Sequence, residues 1–137
     1  MSIKDELKQY RFKMKRVDEA LEEYEKFKTR AEKVTAVFSD VASRTNKTSD
    51  KVGENSVKMA DIERQYKKRW EDAEQERLKI SEKICTIDEP YRTILFMKYV
   101  QNKNFELIAT EIGYSYKQIL RLHGQALQIL DNKKYVL

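Results

Sequence analysis

Apolar residues recur at steps of four and three through the first part of the chain: Ile3, Leu7, Tyr10, Met14, Val17, Leu21 and Tyr24. This heptad spacing gathers one apolar seam on a single helical face, with charges filling the other positions. Lys28 interrupts the seam, and Ala31 and Phe38 resume its phase. The pattern predicts a helix from about Ile3 to Phe38, roughly 50 Å long at about 1.5 Å per residue. Periodicity is lost from Asp40 to Asn55, a run of Ser, Thr, Asn, Lys and Asp with Gly53 near its end. Such a run predicts a flexible polar loop at about 40–55. The seam returns as Met59, Ile62, Tyr66, Trp70, Ala73, Ile80, Ile84 and Ile87, with Arg77 as its weak point. That predicts a second long helix from about Ser56 to Ile87.

Two such stripes bury each other by zipping antiparallel, each large side chain contributing roughly 1.5–3 kcal/mol. Pairing within one chain and pairing between chains both stay open. The wide, partly polar Tyr10, Tyr24 and Tyr66 depart from the Leu/Ile pattern of parallel two-stranded coils, which favours a hairpin within one chain. Leu7, Tyr10, Met14, Tyr24, Tyr66 and Trp70 are then the candidates for a partner or homodimer interface.

A different pattern begins at Asp88-Glu89-Pro90. Proline suits the first turn of a helix, and two acids ahead of it suit the helix dipole. Ile94, Leu95, Met97 and Val100 give that helix apolar contacts. Gln101–Asn104 is a polar turn, and Asn104 can cap a helix starting at Phe105. Leu107, Ile108 and Ile112 mark one face of this short helix, and Ala109 leaves room for a close crossing. Gly113 can end it with φ > 0. Ser115 and Gln118 then form a capping box for the next helix. Two short helices joined by a tight glycine turn have the layout of a helix-turn-helix, whose second member enters the DNA major groove. The same layout also occurs in purely structural bundles and protein-docking domains. Residues 1–87 are thus expected to form the long helical hairpin and 88–137 a helix-turn-helix domain, in an all-α fold.

Composition agrees. Of 137 residues, 37% are charged and only three are Gly and one Pro, too few turn formers for a β-rich chain. The net charge is +5; up to Ile87 the chain carries 21 basic against 18 acidic residues, and after it 7 against 5. A mild positive bias suits phosphate contacts without singling them out. Cys85 stands alone, so no internal disulfide forms; between Ile84 and Ile87 it reads as a small buried hydrophobe. One cysteine, no apolar leader and no long apolar run point to a cytoplasmic protein with no membrane span. No phosphate-cradling Gly loop, nucleophile elbow or metal-ligand cluster is present, so no enzyme, cofactor, metal or small-molecule substrate is expected. His123 reads as a packing or hydrogen-bonding residue. Gly124 costs the helix about 1 kcal/mol relative to Ala, which predicts a close crossing against Tyr91, Tyr99 or the hairpin.

From Ile87 onward, the runs Asp88-Glu-Pro-Tyr-Arg-Thr-Ile-Leu-Phe-Met-Lys-Tyr99 and Phe105-Glu-Leu-Ile-Ala-Thr-Glu-Ile-Gly-Tyr-Ser115 resemble the C-terminal promoter-reading domain of bacterial sigma factors. With Arg121-Leu-His-Gly124 and Ala126-Leu127, the whole chain resembles small phage proteins of the RinA and ArpU type, the match being specific from about Ile87 to Leu130. The resemblance implies a DNA-binding regulator of phage late or packaging genes. It also implies that Ile119, Leu122, Ala126, Leu127 and Leu130 face inward while Tyr116, Lys117, Leu120 and Arg121 are exposed. Lys117 and Arg121 then suit guanine or phosphate, Gln118 suits adenine unless held in its cap, and Tyr116 suits phosphate or a thymine methyl. Asn104 and Lys98 join this DNA-binding set; Arg92 and Lys103 are candidates for flanking phosphates. Lys117 and Leu120 depart from the family's usual residues, so sequence preference is not inherited. Two other readings stay open: a protein-interaction factor binding a terminase small subunit, RNA polymerase or a defence nuclease through the hairpin and Leu120, and a small terminase-like DNA-recognition subunit.

Overall fold

A computed structural model describes residues 2–41 and 48–134, with side chains over 2–33 and 53–133. Helix α1 spans Ile3–Val41, α2 Thr48–Ile84, α3 Tyr91–Leu95, α4 Phe105–Ile112 and α5 Tyr116–Lys134; a π-helical turn over Phe96–Val100 continues α3. The fold is all-α. No described helix is long and apolar enough to cross a membrane.

The chain divides into two compact units, residues 15–72 and residues 1–14 with 73–137. In the first, the middle stretches of α1 and α2 run antiparallel: the Tyr24 hydroxyl donates to Glu63 at 3.4 Å and Arg69 donates to the Arg16 carbonyl at 3.2 Å. Val17 and Ala20 are buried there, while Met59, Ile62 and Tyr66 are half-buried. Trp70, expected on the seam, is 47% exposed. Its spacing explains this: 62, 66 and 70 are two four-residue steps in succession, which carry the stripe off the face a 3.5-residue period would hold.

In the second unit the N-terminal turns of α1 lie antiparallel to the end of α2, with Lys13 paired to Glu76 at 3.2 Å and Lys83 to Glu6 at 2.7 Å. Ser2 starts α1 as a cap, its Oγ accepting from the Asp5 amide at 3.2 Å. Ile3, Leu7, Ile80, Ile84 and Ile87 close around Leu95, Tyr99, Ala126 and Leu130 to form the larger core. Leu7, read as a candidate partner contact, is fully buried in that core and offers nothing to a partner. Cys85 is exposed, against expectation. Ile84 and Ile87 both turn inward, and a residue between them one step from Ile84 is carried to the other side of the chain.

Helix α3 and its π turn stand between this core and a smaller one. Leu95 and Tyr99 join the first; Ile94 and Met97 join Ile108, Ala109 and Ile119 in the second. Leu95 and Tyr99 lie four apart on one face and Ile94 and Met97 three apart on the next, so adjacent faces of this segment serve the two cores. Pro90 is the residue before α3 rather than in its first turn. Glu89 does the capping instead, its Oε2 accepting from the Thr93 amide at 3.2 Å and the Thr93 hydroxyl at 2.5 Å.

Helix α2 begins at Thr48, eight residues before the predicted Ser56, and α1 runs to Val41, so most of the predicted loop at 40–55 is helical. Polar residues other than Gly and Pro cost a helix only tenths of a kcal/mol each (about 0.7 at most), so lack of an apolar period does not by itself break a helix. Residues 42–47, and the side chain of Phe38, lie outside the described set.

Candidate nucleic-acid interface

Helix α4 starts at Asn104, whose extended backbone (φ −77°, ψ 163°) lets Oδ1 accept from the Leu107 amide at 2.8 Å. The preceding turn uses Asn102 at φ 55°, a left-handed conformation that Asn tolerates. Ile108 and Ala109 of α4 are buried against Ile119 of α5. Leu107, expected on the same face, is 43% exposed: Ile108 and Ala109 are buried and Ile112 half-buried, and residue 107 falls on the outer edge of that arc. Gly113 ends the helix in the left-handed region (φ 83°, ψ 27°), and the amides of Gly113 and Tyr114 both reach the Ala109 carbonyl, at 2.9 and 3.1 Å. A Cβ at Gly113 would meet open space, so conformation and not crowding selects glycine here.

Two residues later the capping box forms in both directions. Ser115 Oγ accepts from the Gln118 amide at 3.1 Å, and Gln118 Oε1 accepts from the Ser115 amide at 3.1 Å and from its hydroxyl at 3.2 Å. Gln118 is thereby held in the cap, with its oxygen engaged. Helix α5 then buries Ile119, Ala126 and Leu130 and half-buries Leu122 and Leu127, leaving Tyr116, Lys117, Leu120 and Arg121 exposed. One helix therefore carries two faces, an apolar one anchored in both cores and a basic one in solvent. On that flank Leu120 keeps 40% of its surface and Tyr116 49%.

Cations around the flank separate into two groups. Arg92 is bound to Glu89 at 2.5 Å and Lys103 to Glu111 at 2.7 Å, so both are already matched by acids. Lys133 donates to the Thr86 carbonyl. Among the described residues Lys117 and Arg121 have no such acidic partner. Lys98 sits over the Phe105 ring, 4.3 Å from its centroid. Partial burial, with Arg11, Lys4 and Lys8 nearby, holds its pKa below the usual lysine range.

Behind the flank lies a polar contact inside the core. His123 is 8% exposed and hydrogen-bonds the Tyr99 hydroxyl through Nε2 at 2.8 Å, with the edge of Phe105 against its ring. Burial pushes the imidazole down to about 4, helped by Lys4 and Lys98, and pushes the Tyr99 phenol up to about 12. Near neutral pH both are uncharged. Gly124, next to His123, is exposed, and a Cβ there would meet nothing within 4 Å. The expected close crossing is absent; the helix turns this position to solvent.

Sequence reasoning passed over Lys4, Lys8 and Arg11 of α1, which line a cavity of about 400 Å³ together with Lys98 and Leu120. In the sequence they are charges flanking a heptad seam. Their i, i+4, i+7 spacing with a single sign was the available signal, since it gathers three cations on one helical face.

No protein-family model, no curated protein and no solved structure matches the chain.

Proposed function

We propose that this chain is a sequence-specific DNA-binding protein that inserts α5 into the major groove, most economically as a regulator of phage or mobile-element transcription. The observation that carries the reading is the division of α5. Its capped N-terminal turns present Tyr116, Lys117, Leu120 and Arg121 to solvent while Ile119, Ala126 and Leu130 fix the helix in the cores. Arg121 and Lys117 lack acidic partners among the described residues, so their charge remains available to guanine edges or phosphates. Gln118 is assigned to the cap, and Asn104 to the cap of α4, which removes both oxygens from base reading. A single helix-turn-helix buries little surface, so tight binding calls for a dimer on a two-fold site. The half-buried Tyr10, Met14, Tyr24 and Tyr66 and the exposed Trp70 are the residues available for that dimer or for RNA polymerase.

One observation favours a second reading. Leu107, Tyr114, Tyr116 and Leu120 are all exposed apolar residues of α4, its turn and α5, a composition that also suits docking onto a protein such as a terminase subunit.

Selection from a random duplex pool separates the two. A DNA reader enriches a common short motif over successive rounds, and a twofold repeat of it if the protein binds as a dimer. A pool that stays random at low salt contradicts the DNA reading.

A further inference from the structure

The cavity beside α5 is walled by cations and floored by apolar groups. Lys4, Lys8 and Arg11 stand along one face of α1, and Lys98 faces them from the π turn. Phe105, Tyr99, His123 and Leu120 complete the lining, and no carboxylate takes part. Four cations around a concave, partly apolar surface focus a positive potential at its mouth. Lys98 registers this field, being held below the usual lysine range by burial and by the three α1 cations. The Phe105 ring steadies its ammonium at 4.3 Å. At about 400 Å³ the space exceeds one phosphate and admits a pyrophosphate or a phosphodiester with its flanking sugars.

We infer that this cavity is a phosphate-binding site, built jointly by the first turns of α1 and by the helices that carry the candidate DNA flank. Lysines act as adaptable point charges for phosphate oxygens, and Arg11 adds a planar fork. Leu120 belongs both to the cavity and to the exposed flank of α5, so a duplex strand passing that flank meets the cavity mouth. The source of the phosphate, a DNA backbone or a free polyphosphate, depends on the function proposed above; the site itself does not.

His123 is the chain's single histidine and lines the cavity, so its ring signals in nuclear magnetic resonance report on the site without ambiguity. The experiment titrates the full chain with sodium pyrophosphate, with a duplex and with oligoglutamate, at two salt concentrations. Pyrophosphate is expected to shift the His123 signals saturably and to raise their titration midpoint. The double variant Lys8→Gln, Arg11→Gln should weaken that response at least about tenfold, which corresponds to about 1.4 kcal/mol. Arg121→Ala should leave the pyrophosphate response intact while weakening the duplex. A His123 shift with pyrophosphate but none with any duplex retains the site and contradicts the DNA reading. A shift with duplex that Lys8→Gln, Arg11→Gln weakens assigns the phosphate to the backbone. Silence of His123 toward both, or an equal response to oligoglutamate, overturns the site.

Discussion

At the scale of single residues, His123 and Gly124 behave in opposite ways. His123 is held neutral in the core against Tyr99, so its folded pKa, about 4, lies well below the usual value of 6.5. The unfolded chain therefore binds a proton that the folded chain refuses between those values. The resulting stability is fully present above pH 6.5 and is lost as pH falls toward 4. By pH 5, where most carboxylates are still ionised, the loss amounts to about 2 kcal/mol. Unfolding midpoints measured from pH 7.5 to 5 should fall accordingly, and the histidine ring should titrate near 4; a midpoint near 6.5 would contradict the burial described. Gly124, by contrast, is free of neighbours. Gly124→Ala should stabilise the protein by up to about 1 kcal/mol, read as a higher melting temperature, because alanine is the better helix former and finds open space. The sequence could mark both positions as unusual. Only packing tells that the histidine points inward and the glycine outward.

Among the elements, local chemistry was the most legible. The Asn104 cap, the Gly113 turn and the Ser115–Gln118 capping box each depend on a few adjacent residues, and each forms where the residue types require it. Legibility fell wherever a position is decided across elements. Trp70 leaves the seam because two four-residue steps accumulate, and Leu107 sits one step off the buried arc of α4. The π turn after α3 left no trace in the sequence; it carries Met97 and Tyr99, which serve different cores. Likewise, residues 48–55 are helical because their polar residues each cost a helix only tenths of a kcal/mol (about 0.7 at most) and Gly53 alone about 1 kcal/mol. The ends of α1 and α2 matter most for the site, since they share the larger core with α5. Leu7→Ala, at a residue with no exposed surface, should cost about 2–5 kcal/mol and loosen α5 along with α1. Chemical denaturation checks the cost. Loss of Tyr99–His123 dispersion in the same variant would report the coupling, and unchanged stability would show that α1 is not part of that core.

Taken whole, the molecule carries a modest excess of five positive charges, and its use depends on placement. Arg92 and Lys103 are matched by acids, whereas Lys117 and Arg121 on α5, and Lys4, Lys8 and Arg11 on α1, stand without ion-pair partners among the described residues. On the proposed reading, duplex binding releases counterions, so affinity should fall steeply with salt, with a slope near −0.9 for each phosphate neutralised. Fold class could be read from residue order and spacing, and the exposure of Tyr116, Lys117, Leu120 and Arg121 was what the family resemblance implied. The contribution of α1 could not, because it arises from a contact between opposite ends of the chain. The most direct measurement is the dissociation constant of the wild-type chain and of Lys117→Ala, Arg121→Ala for one selected duplex and for a scrambled one. Loss of roughly 1–3 kcal/mol per base-reading side chain is expected on the selected duplex, with a much smaller loss on the scrambled one. Equal affinity of wild type and variant for the selected duplex would contradict the assignment of α5 as the reading helix.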